Sequence, residues 1–280
     1  MKRAAVVTPL YRWPLPPEEM ASLAHRAAFL GRYDWVVVSP EGFRPIPEPM
    51  RYEHFPAEYF RSIQGYNELL LSPEFYRRFQ AYDYILIYQT DCLVFSDRLQ
   101  EWCDAGWDYV GAPWFPRHSQ TPEEGLWAVG NGGFSLRNVA TALRVLAATR
   151  VNAGTFRLAR LGRHANYRPT FRKCMNAYRA AVIAAGAGMT AQDFASRYGG
   201  NEDVWWSLEA KYCVDRFAIP SPEEALSFAI EHSPRWAYER LNRQLPFGCH
   251  AWHKTDPVFW GRFLIEAQRC QDPTIDAREG

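Results

Sequence analysis

The sequence predicts an α/β fold, in which a mostly parallel central sheet is flanked by helices. Short apolar strands alternate with longer helical stretches, which is typical of layered α/β domains. One strand, "YILIY" at 84–88, is apolar throughout, and such strands are typical of a sheet covered on both faces. The 280 residues, 48% of them apolar and 22% charged, suffice for one large domain or two small ones.

The first part of the chain has the order strand, helix, strand. The stretch "AAVVT" at 4–8 predicts the first strand, and "PEEMASLAHRAAFL" at 17–30 predicts a helix with proline near its start. The stretch "WVVVS" at 35–39 predicts the second strand. A β-α-β unit of this kind implies parallel strands joined by a right-handed crossover.

A second helical stretch leads into the apolar strand. The pattern of "GYNELLLSPEFYRRFQAY" at 65–82 is helical but interrupted near Pro73, and the strand at 84–88 follows. That strand runs into "QTD", so Asp91 lies just past its end. Ligands of open α/β sheets bind beyond the carboxyl ends of the strands. Asp91 is therefore either the cap of a turn or a ligand-binding acid.

Three later motifs carry polar groups or glycines of the kind that sites use. Glycines surround Asn131 in "VGNGGFSLRN", where the backbone can approach a ligand closely before the strand-like "FSLR". Acids precede an apolar helix in "GGNEDVWWSL" at 199–208, and His250 lies in "LPFGCHAWHK". Each motif alone also has a structural interpretation: a tight turn, acids at a helix dipole, and a hydrogen-bonded histidine.

Together, in this order, the four motifs resemble the nucleotide-sugar glycosyltransferases with the GT-A fold. More narrowly, "YQTDCLVF", "WDYVGAPWF", "GNGGFSLRN" and "NEDVWWS" are similar to a largely uncharacterised bacterial family of glycosyltransferase-like domains associated with surface-polysaccharide synthesis. The resemblance covers residues 4–254 and implies a single, Rossmann-like GT-A domain. It makes 1–95 the nucleotide-binding half, and 96–150 with 199–254 the donor and acceptor half.

The resemblance assigns a divalent cation, Mn²⁺ or Mg²⁺, to Asp91 and His250. Such a cation takes one or two carboxylates beside phosphates, and imidazole is more acceptable to Mn²⁺ than to Mg²⁺. The usual Asp-x-Asp pattern is altered, because Gln89 stands in the place of the first acid. A glutamine amide supplies hydrogen bonds without charge, so we expect weaker metal binding.

The resemblance also assigns the donor, base and acceptor contacts. The UDP- or GDP-linked sugar is expected to contact Thr8, Asn67, Gln89, Asp91, Asn131, Gly132 and Gly133. An inverting transferase needs a carboxylate that removes the proton of the acceptor hydroxyl, and this role falls to Asp203, with Glu202 as the second choice. A retaining enzyme would need neither as a base; inversion is our expectation. Trp114 is expected to contact the acceptor, a glycan or a lipid-linked saccharide.

A basic helical insertion is expected at 151–198, where many arginines face a single acid, Asp193. Such a stretch is either a solvated face or a surface for an anionic membrane or a phosphorylated lipid acceptor. Nucleic acid is not expected as a partner, because the net charge is only +1 and no binding motif accompanies the insertion. A C-terminal helix and tail are expected at 255–280.

The sequence predicts a cytoplasmic protein, with the option of peripheral contact at the inner face of the cell membrane. It has no signal-peptide core, no long apolar stretch and no dense pattern of cysteines. Two other functions stay open. Gln89 favours an inactive carbohydrate-binding or scaffold protein of the same fold, and a strand-end acid with a metal is also typical of sugar nucleotidyltransferases.

Overall fold

The structure, a computed structural model, describes residues 2–46, 51–116, 122–148, 191, 195 and 198–265. Within these residues a central sheet of six strands is flanked by helices, so the predicted α/β class is confirmed. Nearly all of the insertion expected at 151–198 lies outside the described residues, as does the tail beyond 265. No helix of the described part combines the length and apolarity that crossing a bilayer requires.

The strands of the described residues form one large sheet and two small ones. In chain order they are β1 (Ala4–Pro9), β2 (Asp34–Pro40), β3 (Arg51–Phe55), β4 (Tyr84–Tyr88), β5 (Leu93–Val94), β6 (Tyr109–Val110), β7 (Pro113–Trp114), β8 (Ala128–Val129), β9 (Phe134–Asn138), β10 (Ala229–Ile230) and β11 (Gly248–Cys249). The central sheet has the order β3-β2-β1-β4-β9-β6. All its neighbours are parallel except β9, which is antiparallel to β4 and β6, so the predicted mostly parallel sheet is confirmed.

Five α-helices lie in the described residues up to 148. They are α1 (Pro17–Leu30), α2 (Ile63–Leu70), α3 (Pro73–Arg77), α4 (Leu99–Asp104) and α5 (Val139–Ala147). In the described residues from 198 onwards, helices lie at Glu202–Val204, Pro222–Phe228, Pro234–Arg240, Trp252–Thr255 and Pro257–Gly261. A π-helical turn at Trp205–Glu209 extends the first of these, and 3-10 turns lie at Ala57–Phe60, Pro122–Glu124 and Ala210–Tyr212.

The helical stretch before β4 is two helices rather than one. The predicted interruption near Pro73 is confirmed, because the Ser72 hydroxyl accepts from the Phe75 amide and starts a new helix with proline in its first turn. The second helix ends at Arg77, so the prediction that helix continues to residue 82 is wrong. Turns then lead the chain into β4.

The sequence of β4 is apolar throughout because its alternate side chains pack into two different cores. Ile85 and Ile87 pack on one face with α2, α3 and α5, whereas Leu86 packs on the other face with residues of α4. Since successive side chains of a strand point to opposite faces, a central strand covered by helices on both sides has no polar position. Helices on both faces of the sheet therefore hold the end of β4 in place.

A small sheet brings the C-terminal part of the chain to the end of β4. Strand β11 pairs in parallel with β10 and in antiparallel with β5, which places Cys249 opposite Leu93. The residues that follow β10 and β11 are therefore close to the polar turn after β4. His250 comes next after β11, and its amide donates to the Ile230 carbonyl at 3.0 Å.

We expect Ile85→Ala to lower the free energy of unfolding by about 2 to 5 kcal/mol, because it leaves a cavity in the core below β4. Ile63→Ala is the matched control, since the same atoms are removed from a side chain that is 78% exposed. The control should change the free energy by no more than about 0.5 kcal/mol. Urea denaturation of both variants measures the difference, and equal effects would contradict the assignment of β4 to the core.

Candidate active site

A cleft of about 600 Å³ opens beyond the carboxyl ends of β1 and β4. Most residues that the sequence singles out line it, although they come from distant parts of the chain. The cleft brings together Asn67, Gln89, Asp91, Asn131, Gly132, Gly133, Glu202, Asp203 and His250. Thr8 and Trp114 do not line it.

Asp91 is a buried carboxylate at the floor of the cleft, 7% exposed. Its Oδ2 accepts from Lys254 Nζ at 2.7 Å, and its Oδ1 lies 3.3 Å from His250 Nε2. Burial raises the pKa of Asp91, but His250 and Lys254 outweigh burial and hold this pKa below its usual range. Asp91 is therefore ionised throughout the physiological range of pH.

His250 is held between two acids. Its Nε2 faces Asp91 and also lies 3.2 Å from Gln89 Oε1, while its Nδ1 lies 3.0 Å from Glu231 Oε1 and 2.8 Å from Asn131 Nδ2. A protonated Nδ1 donates to Glu231, and an unprotonated Nδ1 accepts from Asn131. Burial lowers the pKa of His250, but Asp91 and Glu231 raise it to about 10. The surroundings of the ring thus favour positive charge.

The glycine loop makes room for the imidazole. A Cβ atom at Gly133 would lie 2.2 Å from His250 Nε2 and 2.7 Å from Gln89 Oε1. The preceding Asn131 has φ of 66°, a left-handed conformation that asparagine tolerates better than most residues, and its Oδ1 accepts from the Phe134 amide. The sequence "GNGG" predicts that glycine backbone approaches a ligand closely. In the structure, the groups that this backbone approaches are His250 and Gln89 of the site itself.

The polar atoms around His250 fit a divalent cation. Asp91 Oδ1 is buried and, apart from its 3.3 Å ionic contact with His250 Nε2, has no hydrogen-bond partner in the described structure; Gln89 Oε1 lies on the same side of the imidazole. One carboxylate oxygen, one amide oxygen and one imidazole nitrogen suit Mn²⁺, and less well Mg²⁺. Cys92 Sγ is also close, but burial raises the pKa of this thiol, and the thiol donates to the Gly133 carbonyl. A cation at this point would be held by Asp91 and by His250 in its neutral form, with Gln89 beside them, so its binding would displace the imidazole proton.

Besides His250, two arginines and a lysine line the cleft: Arg12, Arg61 and Lys254. Arg12 is paired with Glu19 at the start of α1, and Glu19 also accepts from the Thr90 hydroxyl at 2.6 Å. Glu19 thus connects the segment after β1 to the turn after β4. The side chains of Arg12 and Lys254 are 56% and 61% exposed, which leaves both able to contact an anion that enters the cleft.

The two acids of "NED" have different surroundings. Glu202 is 3% exposed and lies in a buried ion pair with Arg137, at 2.8 Å for both oxygens. Asp203 is half-buried, and its Oδ1 accepts from the Val204 amide; the charge of Arg137 lowers its pKa, but less than burial and Glu202 raise it. Burial, and next the charge of Glu202, raise the pKa of Asp203 to about 7. Asp203 is therefore the acid that can exchange a proton near neutral pH.

Two of the predicted contacts lie away from the cleft. Thr8 is fully buried, and its hydroxyl accepts from Trp35 Nε1 at 2.9 Å. Trp114 is buried against Gly130, where a Cβ would come within 2.0 Å of the indole ring, and it stacks on Trp127 with ring centroids 6.5 Å apart. As the structure stands, neither side chain reaches a ligand in the cleft.

Sequence reasoning missed four polar residues that organise the cleft: Glu19, Arg137, Glu231 and Lys254. Lys254 has a local signal, because it follows His250 by one helical turn in "CHAWHK". Glu19 stands in the first turn of a predicted helix, where an acid is common for other reasons. Nothing in the sequence around Arg137 or Glu231 indicates a buried partner.

The solved structures that resemble this chain share little sequence identity with it. An active-site mutant of LgtC matches with 16% identity and a TM-score of 0.45, over 92% of this chain and 93% of that one. Mouse xyloside xylosyltransferase 1 matches with 12% identity and a TM-score of 0.43, over 89% and 97%. A glycosyltransferase involved in glycosylation of the major capsid of PBCV-1 matches with 10% identity and a TM-score of 0.38, over 89% and 92%. Likeness at this level identifies neither reaction nor substrate.

Comparison with models of protein families identifies one family that this chain matches. No curated protein matches the chain. Residues 49–250 match the model of a family described as protein of unknown function, DUF5672, and this match spans more than half of the chain. The matched range runs from β3 to His250, and so includes Asp91, the glycine loop and Asp203. The chain belongs to the DUF5672 family.

Proposed function

We propose that this protein is a metal-dependent glycosyltransferase, which moves a sugar from a nucleoside-diphosphate donor to an acceptor hydroxyl. One observation carries the proposal. A single cleft at the strand ends combines the Asp91–His250 pair, exposed cations and one carboxylate with a pKa near neutrality. These three features match the three needs of the reaction: a site for the diphosphate, neutralisation of its charge, and a proton acceptor.

The cationic side of the cleft supports a diphosphate site. Arg12, Arg61 and Lys254 are placed to contact phosphate oxygens, and their charges offset the negative charge that develops as the diphosphate leaves. Asp91 and His250, with Gln89 beside them, would hold the cation. When bound, Mn²⁺ or Mg²⁺ supplies further neutralisation of the leaving diphosphate.

Asp203 is the proposed base of an inverting transfer. Its carboxylate takes the proton of the acceptor hydroxyl while that oxygen forms a bond to the anomeric carbon. The bond from the same carbon to the diphosphate oxygen breaks, and the nucleoside diphosphate leaves with the electron pair. Glu202 is less suited to this role, because both its oxygens face the guanidinium of Arg137.

The proposed donor is a UDP- or GDP-linked sugar, and the proposed acceptor is a glycan or a lipid-linked saccharide of bacterial surface-polysaccharide synthesis. The sequence resemblance supports both. Contact with the inner face of the cell membrane through 151–198 is part of the same proposal, because a lipid-linked acceptor is presented at that surface.

Slow hydrolysis of the donor by the purified protein tests the proposal most directly. Release of UDP or GDP from a nucleotide sugar in the presence of Mn²⁺ is the expected result. Release of pyrophosphate from a nucleoside triphosphate and a sugar phosphate would instead identify a nucleotidyltransferase. A thermal-shift screen of the same donors adds an activity-independent readout, since a ligand at 100 times its Kd adds about 2.7 kcal/mol of stability. Binding without any turnover would favour a scaffold, and neither binding nor turnover would overturn the proposal.

We expect Asp91→Asn to remove the Mn²⁺-dependent part of donor binding while the fold stays intact. The amide keeps the size of the side chain but loses the charge that attracts the cation. Calorimetric titration of a UDP-sugar and a GDP-sugar, with and without Mn²⁺, measures the effect. Asp97→Asn is the control, because Asp97 lies in an exposed ion pair with Arg32. Unchanged donor affinity with Mn²⁺ would exclude Asp91 as a metal ligand.

Asp203→Asn should lower turnover by about 10² to 10⁴-fold, the usual contribution of a positioned base, with nearly normal donor affinity. Folding should tolerate the change, because burial already disfavours the charged form of this side chain. The control is Asp215→Asn, which changes an exposed acid in the same region of the chain. Normal turnover would exclude Asp203 as the base, and loss of donor binding would move it to the donor site. Retained anomeric configuration in the NMR spectrum of the product would exclude inversion.

The pH dependence of kcat/KM should follow the ionisation of Asp203. Because the base acts only when deprotonated, the rate should rise with pH and level off above a pKa of about 7. In Asp203→Asn this rise should disappear, and the small remaining rate should not depend on pH in that range. A wild-type profile that is flat from pH 5 upwards would show a base with an ordinary carboxyl pKa, contrary to this assignment.

A further inference from the structure

Arg137 and Glu202 form an ion pair that is buried from solvent on both sides. Arg137 is 1% exposed and Glu202 is 3% exposed. Nη1 lies 2.8 Å from Oε2, and Nη2 donates to Oε1 at 2.8 Å. Every other ion pair in the described ranges has at least one partner that is more than 10% exposed.

The pair connects the glycine loop to the segment that carries Asp203. Arg137 Nη2 lies 3.4 Å from the Gly132 carbonyl oxygen, and a Cβ at Gly132 would lie 2.0 Å from Glu202 Oε1. On the other side, the Glu202 amide donates to Asn67 Oδ1 at 3.1 Å. Glu202 is thus fixed by its side chain and by its backbone, and the next residue in the chain is Asp203.

We propose that Glu202, fixed by Arg137, is a positioning residue for proton transfer. It holds Asp203 at the cleft beside the glycine loop, and its carboxylate, paired with Arg137, belongs to the residue that precedes Asp203 in the chain. The inference rests on the proposed function, since it concerns the base of that reaction. Glu202 contributes to the proton transfer only through Asp203.

The charges around Asp203 agree with this role. The groups that face it are Glu202, Glu231, Arg137 and the phenol of Tyr109. Burial raises the pKa of Asp203 most, Glu202 raises it next and Glu231 adds to the effect, whereas Arg137 lowers it. Since a base works best when its pKa is near the operating pH, Glu202 makes Asp203 a stronger proton acceptor than an ordinary aspartate.

A purely structural role would be met by simpler side chains. Removing two charges from water is costly, and apolar residues of similar volume often replace a buried ion pair without loss of stability. The hydroxyl of Tyr76 and that of Ser135 also contact Arg137, so α3, β9 and the short helix at Glu202–Val204 all contribute polar groups to this one pair. The position of the pair, in contact with Gly132 and one residue before Asp203, gives a reason for this arrangement.

The experiment is an NMR titration of the full chain labelled with ¹³C at the aspartate carboxyl carbons. Asp203→Asn identifies the Asp203 signal, which should titrate at a pH of about 7 in the wild-type protein. In Glu202→Gln we expect the midpoint to fall by about one pH unit or more, because a like charge is removed and Arg137 is left unopposed. Glu74→Gln, which breaks an exposed ion pair with Arg78, is the control and should leave the midpoint unchanged.

A second variant covers the case in which the lone arginine unfolds the protein. Replacing both partners, Arg137→Met with Glu202→Met, removes the ion pair as a whole, and its midpoint should also fall, but less than in Glu202→Gln. An unchanged Asp203 midpoint in the folded variants would overturn the proposal, as would an ordinary aspartate midpoint in the wild-type protein. Loss of the fold in both variants would show a structural role and overturn it too.

The same variants separate this inference from the proposed function. If the protein transfers sugar, the midpoint of the kcat/KM profile should shift to lower pH together with the NMR midpoint. If the NMR midpoint shifts as expected but neither hydrolysis nor transfer occurs in the wild-type protein, the proposed function fails while the effect of Glu202 on Asp203 stands. If activity is present and the NMR midpoint does not shift, only the inference about Glu202 fails.

Discussion

The cleft depends on one constraint: the carboxylate of Asp91 is stable where it is only while positive charge surrounds it. A buried charge without a partner is costly, and Asp91 sits at the end of a strand whose side chains are all buried. Lys254 and His250 supply the positive charge, and Glu231 in turn balances His250. Each charge in this network is therefore stabilised by its neighbour, and removing one side chain changes the electrostatic energy of the others.

The sequence predicts those parts of the fold in which buried side chains recur at a regular spacing within a few consecutive residues. The apolar run of β4 and the helical period of α1 are visible in a few consecutive residues, because each describes one buried face or two. Strand β3 was not predicted, since "RYEHF" lies at the edge of the sheet and pairs on one side only, with β2. Edge strands carry polar side chains, so their burial pattern is weak.

The site shows the same division between local and distant information. Asp91 could be picked out because it lies just past a buried strand, and Asp203 because it precedes an apolar helical stretch in a motif that resembles the GT-A glycosyltransferases. Arg137 and Glu231 could not, because only the folded chain reveals the charge that each one faces. Thr8 shows the opposite case: its position after β1 is as expected, but the hydroxyl turns to Trp35 inside the protein rather than to the cleft.

The pairing of β11 with β5 also has a consequence for the order in which the protein is made. Asp91 and Lys254 are separated by 163 residues, so a ribosome has completed the whole central sheet before His250 and Lys254 emerge. Until then the nascent chain carries the Asp91 carboxylate without the cations that oppose it in the finished fold. The polar cleft is thus completed only after β11 and the residues up to Lys254 have been synthesised, well after the strands of the central sheet.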